Sequence, residues 1–244
     1  MKTGRSIYFA PMEGITGYIF RNAHRAYFGG VEKYFTPFLT PKPGKSLTTR
    51  EQKDILPEHN RGILLTPQIL TNQAEGFIKL AVYLQHLGYE EVNLNLGCPS
   101  GTVVAKGKGA GFLAYPDRLE AFLDEIFTSC PLTISIKTRI GVEEPAEFER
   151  LLQIFNNYPV KELIIHLRTQ KQFYRGQVYK EIYAKAKDES TLPLCYNGDL
   201  FTVEDIEAVQ AQFPGTDRFM LGRGMLINPA LATGRLPQRE QLRE

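Results

Sequence analysis

A cysteine stands in a loop whose composition suits proton transfer. Cys98 lies in the segment Gly-Cys-Pro-Ser (97–100), and Lys106 and Lys108 follow it closely. A thiol that is held on such a loop near cations can donate a proton or act as a nucleophile. The alternative, a small buried hydrophobic side chain, suits the other two cysteines better. We therefore predict that Cys98 takes part in chemistry.

A lysine and a histidine each stand at the end of a short apolar run. Lys137 follows Ser135 and Ile136, and His166 follows the apolar residues 163–165. A cation in such a place can face a phosphate or an anionic flavin ring, or it can form a Schiff base. Alternatively, Lys137 is a surface lysine and His166 is a satisfied core histidine. We predict that both side chains contact a ligand.

Two glycine-containing turns near the C-terminus are candidate phosphate sites. The turns Asn-Gly-Asp (197–199) and Gly-Arg-Gly (222–224) each follow an apolar run. Backbone N–H groups in such turns can bind phosphate, and TIM barrels use the loops after their last two strands in this way. The alternative is a pair of ordinary turns, because a Gly-x-Gly pattern alone is weak evidence.

These residues fall within a chain that alternates between predicted strands and predicted helices. Eight strands in about 250 residues are typical of an α/β protein with a (β/α)8 TIM barrel, whereas a doubly wound sheet usually has fewer strands. Residues 40–62 are the exception and are predicted as a long polar loop with at most one helical turn. The predicted strands cover 7–10, 34–38, 63–70, 91–96, 132–137, 162–167, 192–196 and 217–221.

A TIM barrel would gather the candidate residues on one face. Functional groups in this fold lie at the carboxyl ends of the strands. Polar or glycine-rich clusters follow seven of the eight predicted strands. We therefore expect an active site where these ends meet.

Composition excludes several other classes of protein. The chain has 244 residues, a net charge of +2, 43% hydrophobic and 23% charged residues, which are average values for globular proteins and not those of disordered, collagen-like or coiled-coil chains. Three cysteines do not make a disulfide framework, so we expect a reducing, cytoplasmic location. We expect no membrane span, because no stretch of 18 apolar residues occurs, and no metal site, because the histidines are scattered.

The sequence resembles the tRNA-dihydrouridine synthases over about residues 7–233. The resemblance rests on motifs that occur in the family's order and spacing. These are Ala10-Pro11-Met12-x-Gly14-Ile15-Thr16, Asn95-Leu96-Gly97-Cys98-Pro99 with Gly107-x-Gly109-Ala110, Lys137-Thr138-Arg139, His166-x-Arg168-Thr169, Asn197-Gly198-Asp199 and Gly222-Arg223-Gly224.

The resemblance implies an FMN-dependent TIM barrel and assigns roles to individual residues. It implies that Cys98 is the general acid and that Asn95 and Arg168 face the target uracil. The FMN contacts that it implies come from Pro11, Met12, Gln68, Lys137, His166, Asn197, Asp199, Gly222 and Arg223.

The resemblance also implies a reaction on tRNA. NADPH would reduce the flavin, hydride would pass from the flavin to C6 of a uridine, and Cys98 would protonate C5. The uridine must leave its stack to reach the flavin, as in base-flipping enzymes. Residues 1–234 would form the catalytic barrel, and 235–244 would begin a C-terminal helical tRNA-binding domain that is truncated or missing. The chain departs from the family pattern at Gly17, where Asp is usual, and at residues 36–38.

Three alternatives remain open at this point. A related flavin barrel could reduce a free pyrimidine or an enone. A Schiff-base aldolase could use Lys137, but it would leave Cys98 and Gln68 without a role. A catalytically silent flavin- or RNA-binding barrel is the third. Cations on the predicted top face are expected to attract phosphates, and these are Lys42, Lys45, Arg50, Lys53, Lys106, Lys108, Lys171 and Arg175.

Overall fold

Parallel strands alternate with helices throughout the part of the chain that the computed structural model describes, which is residues 4–42, 44 and 46–234. The strands are β1 (Ser6–Phe9), β2 (Lys33–Phe35), β3 (Leu65–Thr66), β4 (Gln68–Ile69), β5 (Glu91–Leu96), β6 (Thr133–Arg139), β7 (Leu163–His166), β8 (Leu194–Asn197) and β9 (Arg218–Leu221). Residues 235–244, predicted to begin a helical domain, lie outside the described residues.

Helices follow the strands and pack on the outside of the sheet. Typical end signals mark several of them: Pro116 starts α5, and Thr202 caps α8 through a reciprocal pair of hydrogen bonds with Asp205. The helices are α1 (Tyr18–Tyr27), α2 (Thr49–Ile55), α3 (Ala74–His86), α4 (Gly101–Val104), α5 (Pro116–Ser129), α6 (Glu147–Asn156), α7 (Lys180–Glu189), α8 (Val203–Gln212) and α9 (Arg223–Ile227).

The sheet has the strand order of a barrel. The order is β3-β2-β1-β9-β8-β7-β6-β5-β4, and every pairing is parallel. The two ends of this order, β3 and β4, are consecutive pieces of one strand that Pro67 interrupts. One piece pairs with β2 and the other with β5, so eight strand positions surround the axis. The predicted (β/α)8 TIM barrel is confirmed.

The break at Pro67 corrects the prediction of one continuous strand over 63–70. Proline has no N–H group to donate to a neighbouring strand. Its carbonyl oxygen still accepts the N–H of Asn93 at 2.8 Å, so the edge of the strand stays attached to β5. The two halves are therefore only two residues long each.

The polar stretch 40–62 contains more structure than predicted. It holds the two-turn helix α2 and a 3-10 turn at Pro57–His59. Thr48 and Glu51 form a capping box at the start of α2, a signal that the sequence carries as Thr-x-x-Glu. The predicted glycine-rich loop after β5 likewise contains α4 and a 3-10 segment, Gly109–Ala114.

The side chains of β5 alternate between two environments, the layer of helices outside the barrel and the barrel interior. Along β5, Val92, Leu94 and Leu96 pack with the helices, and Glu91, Asn93 and Asn95 alternate with them, as strand geometry requires. A separate apolar cluster consists of Tyr8, Ala10, Phe35, Ile164, Cys195 and Met220. The site described next lies above these interior side chains.

Candidate active site

A cavity of about 500 Å³ opens at the carboxyl ends of the barrel strands. Ten of the twelve predicted site residues line it: Pro11, Met12, Gln68, Asn95, Cys98, Lys137, His166, Asn197, Gly222 and Arg223. Arg168 and Asp199 do not. Another cavity, of about 690 Å³, lies beside α3 and is lined by none of the predicted site residues.

The backbone of the loop that carries Cys98 is held in place by the side chain of Asn95 and by the backbone of Ala110. Asn95 Oδ1 accepts the N–H groups of Gly97 and Cys98 at 3.0 and 2.9 Å. The Cys98 carbonyl accepts the N–H of Ala110 at 3.1 Å. Gly109 has a φ of +56°, and a Cβ there would lie 2.8 Å from the Cys98 carbonyl oxygen. A glycine at this position is therefore required for the loop to close.

The surroundings of Cys98 keep its thiol protonated. Burial raises the pKa of Cys98, and this effect outweighs the opposite influences of a backbone hydrogen bond at Ser100 and of the charges on Arg139 and Lys137. A group with a raised pKa holds its proton at neutral pH and can act as an acid. This fits proton donation better than thiolate nucleophilicity.

Lys137 and His166 bring nitrogen donors to the floor of the cavity. Lys137 Nζ donates to Asn197 Oδ1 at 2.9 Å. Burial, helped by the charge of Arg139, lowers the pKa of Lys137 to about 8. Burial also lowers the pKa of His166 well below its ordinary value, with Arg139 and Lys137 adding to the effect. His166 is therefore a neutral imidazole at pH 7, next to a cation.

Arg139 fastens two loops to each other, a role that the sequence motif did not reveal. Its Nε donates to the carbonyl of Gly97 and its Nη1 to the carbonyl of Thr169, both at 2.9 Å. Its guanidinium also lies 5.4 Å from the ring centre of Tyr174. Arg139 is 1% exposed. Its two hydrogen bonds tie the Cys98 loop to the loop after β7.

Arg168 is buried behind the wall of the cavity. Nη1 and Nη2 bind the two carboxylate oxygens of Asp199 at 2.8 and 2.6 Å, and Nε and Nη2 also donate to the carbonyls of Arg175 and Gly176. The side chain is 1% exposed. The structure does not bring Arg168 to the cavity, and its contact with uracil stays a prediction that would require it to leave Asp199.

Asp199 joins Arg168 to the rim of the cavity. Its Oδ1 also accepts Arg223 Nη2 at 2.6 Å. Burial acts to raise the pKa of Asp199, but the hydrogen bond and charge of Arg168, with those of Arg223, outweigh burial and lower it. Asp199 is therefore ionised and orients Arg223, which reaches the cavity in its place.

Aromatic side chains on the loop after β7 form part of the rim. Tyr174 is exposed, and its ring lies 6.2 Å from that of His166 in a stacked orientation. Phe173 is also exposed and has a φ of +52°, which is uncommon for a residue other than glycine. Both line the cavity.

The predicted cations differ in whether an acidic partner balances them. Arg50 pairs with Glu13, and Lys171 pairs with Glu143. Among the described residues, no ion pair engages Lys42, Lys53, Lys106, Lys108 or Arg175. Lys45 lies outside the described residues.

Two further properties concern the described residues alone. They hold no group of three or more His, Cys, Asp or Glu side chains that could bind a metal ion. Every helix among them is too short or too polar to span a bilayer.

The fold is a TIM barrel, and Cys98, Lys137 and the turn at Gly222 line one cavity at the carboxyl ends of its strands. The sequence matches the dihydrouridine synthase (Dus) family over residues 8–242. The chain therefore belongs to the dihydrouridine synthase family. Membership places it among the oxidoreductases that reduce uridine in tRNA to dihydrouridine.

Curated relatives agree with this placement. The chain is 27% identical to tRNA-dihydrouridine synthase B of Pasteurella multocida (strain Pm70), over 92% of its own length and 67% of the relative's. It is 29% identical to probable tRNA-dihydrouridine synthase 2 of Bacillus subtilis (strain 168), over 90% and 69%. The chain spans 62 to 73% of the length of such relatives.

A solved structure supports the fold. Morphinone reductase in complex with tetrahydroNAD superposes with a TM-score of 0.59 at 12% identity, covering 96% of this chain and 89% of the other. At this identity the likeness concerns the barrel alone.

Proposed function

We propose that this chain binds FMN in the cavity, accepts reducing equivalents from NADPH and reduces specific uridines in tRNA, with Cys98 as the general acid. The observation that carries the proposal is the placement of Cys98, whose pKa is raised by burial, in the same cavity as Lys137, His166 and Gln68. The FMN contacts, the preference for NADPH, the role of Cys98 and a cytoplasmic location are parts of this proposal.

The residues around the cavity fit FMN. A volume of about 500 Å³ lies within the range of cofactor pockets. Gly222 is the N-cap residue of α9, and no side chain caps this helix start. The uncapped helix start beside Arg223 suits the phosphate end of the cofactor. Lys137 and Gln68 on the floor suit the polar edge of the ring, where negative charge collects on reduction.

Each residue has a separate task in the proposed site. Pro11 and Met12 would contact one edge of the ring, and Gln68, Lys137 and His166 would bind its polar edge. Asn197 holds Lys137 in place, and Arg223 with Gly222 binds the phosphate. Asp199 and Arg168 act from behind the wall by orienting Arg223.

When bound, FMN would supply the hydride, which it would receive from NADPH. Addition of hydride to C6 of uracil leaves the electron pair of the C5–C6 double bond at C5. Cys98 then donates its proton to C5, and the resulting thiolate is reprotonated from solvent. The sum is the addition of one hydride and one proton across the double bond. Asn95 fixes the backbone of Cys98 and, as a cavity residue, can also bind the uracil edge.

The substrate base must approach through the rim. A uridine leaving its stack exposes both faces of its ring, and side chains such as Phe173 and Tyr174 can replace lost stacking. The cations without acidic partners would attract the phosphates on either side. We propose that these groups provide the tRNA contacts of the barrel.

The visible absorption spectrum of the purified protein tests the cofactor. The expected result is an oxidised-flavin band, with FMN identified after release, that is bleached by NADPH under anaerobic conditions. A protein that stays colourless after incubation with excess FMN contradicts the proposal.

A further inference from the structure

A single chain of hydrogen bonds runs through the barrel interior from the Cys98 loop to Glu91, the first residue of β5. The Cys98 N–H donates to Asn95 Oδ1 (2.9 Å), and Asn95 Nδ2 donates to Gln68 Oε1 (2.7 Å). Gln68 Nε2 donates to Asn93 Oδ1 at 2.8 Å. Asn93 Nδ2 then donates to Ser135 Oγ at 3.0 Å, and Ser135 Oγ donates to Glu91 Oε1 at 2.7 Å.

The direction of this chain is fixed at both ends. Backbone N–H groups of Gly97 and Cys98 can only donate, so the atom of Asn95 that faces them must be its oxygen. At the other end, an ionised carboxylate can only accept. Burial acts to raise the pKa of Glu91, but Lys33 and Lys161 outweigh it and lower that pKa. Each amide between the ends therefore has one allowed orientation.

The middle of the chain is sealed from solvent. Gln68, Asn93 and Ser135 are directly paired neighbours on β4, β5 and β6, so they form one layer of the barrel. Asn93 and Ser135 are completely buried and do not line the cavity. Neither can touch a substrate, and water cannot replace a lost partner without entering the core.

We propose that Asn93 and Ser135 are positioning residues of the active site, which transmit the orientation set by Glu91 to the amides of Gln68 and Asn95. They thereby decide which atom of each amide faces the cavity and keep the Cys98 loop in register. The proposal rests on the proposed function only in taking Gln68 and Cys98 as site residues.

The reactivity of Cys98 measures this positioning without any cofactor. Cys98 and Cys130 are both half-buried, and Cys195 is fully buried, so iodoacetamide labelling of Cys98 can be read against Cys130 in the same molecule. Asn93→Leu keeps a branched side chain but removes both hydrogen bonds. We expect the Cys98:Cys130 labelling ratio to rise about fivefold, the factor that corresponds to one net hydrogen bond. We also expect FMN to bind more weakly.

Two variants separate positioning from general destabilisation. Asn93→Asp retains an acceptor for Gln68 in either protonation state, so its labelling ratio is expected to return towards that of the wild type. Thr138→Val removes another fully buried hydroxyl of β6, which bonds only to the backbone of Arg139. Its labelling ratio is expected to stay unchanged.

The outcomes are distinct. If Asn93→Leu does not fold, Ser135→Ala, which removes a single hydroxyl, is expected to raise the ratio in the same direction. An unchanged ratio in the folded variant, or an equal rise in Thr138→Val, overturns the proposal. Failure of the wild type to bind FMN would refute the proposed function instead, and the labelling result would still stand.

Discussion

Asp54 on α2 provides the acceptor that the start of α1 lacks, because its Oδ1 accepts the backbone N–H of Tyr18 at 2.6 Å. The N-cap of α1 is Gly17, which has no side chain to do this. A Cβ at Gly17 would lie 3.1 Å from the same oxygen. The departure from the family pattern at this position is therefore balanced by a residue 37 positions away in sequence, from a different helix.

The same carboxylate supports the first loop of the active site. Asp54 Oδ1 lies 3.8 Å from Arg21 Nη1, and both side chains are nearly inaccessible to solvent. Arg21 Nη1 donates to the carbonyl of Thr16 at 2.8 Å, and Thr16 Oγ1 accepts the N–H of Met12 at 2.8 Å. The position of Met12 in the cavity therefore depends on α2.

Asp54→Ala should destabilise the fold strongly. It leaves the charge of Arg21 without its buried partner, which costs about 3–5 kcal/mol in comparable cases. Asp54→Asn keeps an acceptor for Tyr18 and should cost less. Urea unfolding measures both, with Glu75→Ala as a control, since Glu75 and Lys79 form a highly exposed pair. Equal midpoints for Asp54→Ala and Glu75→Ala would refute the argument.

Gly109→Ala should impair the reaction more than the fold. Its positive φ and the 2.8 Å approach to the Cys98 carbonyl force the Cys98 loop to shift. A non-glycine residue in this region costs about 1–2 kcal/mol. The expected result is a fall in dihydrouridine formation of about tenfold or more, since small misplacements of reacting groups have large effects.

Gly101→Ala is the matched control for this glycine. Gly101 starts α4, and a Cβ there would meet nothing within 4 Å. Activity and stability should stay near those of the wild type. A loss of activity as large as that of Gly109→Ala would mean that any added methyl group in this region is harmful.

The affinity for FMN should fall as the pH rises through about 8. The pKa of Lys137 lies near this value, so its amine is protonated below about pH 8 and neutral above it. Loss of the cation weakens attraction for an anionic ligand. Fluorescence titration over this range should show the inflection in the wild type. Lys137→Arg should remove it while retaining affinity, and Lys137→Met should bind weakly at every pH. An inflection that persists in Lys137→Met would assign it to another group.

The barrel and the location of the site were predictable because both follow from strand order. Parallel strands place their carboxyl ends together, so residues as distant as Met12 and Arg223 meet at one cavity. The break at Pro67 and the helix α2 were missed, although proline and the Thr48–Glu51 capping box are visible in the sequence. A single proline does not change the apolar character of residues 63–70, and one capping box does not change the polar character of residues 40–62, so the prediction followed the overall character of each stretch.

The burial of Arg168 could not be predicted. It depends on how the loop after β7 folds back, since the carbonyls of Arg175 and Gly176 accept from the guanidinium. The hydrogen-bond chain through Asn93 and Ser135 was equally hidden. Strand alternation shows that these side chains point inwards, but only the register between strands brings them together.

Single-turnover reduction of tRNA tests the central claim most directly. Protein loaded with FMN and reduced with NADPH is mixed anaerobically with unmodified tRNA, and flavin reoxidation and dihydrouridine are measured together. We predict that the wild type forms dihydrouridine as the flavin is reoxidised. Cys98→Ala should bind and reduce FMN normally but form product about 10²–10⁴-fold more slowly, the usual contribution of a general acid. Product formation at the wild-type rate by Cys98→Ala, or none by the wild type, would contradict the account.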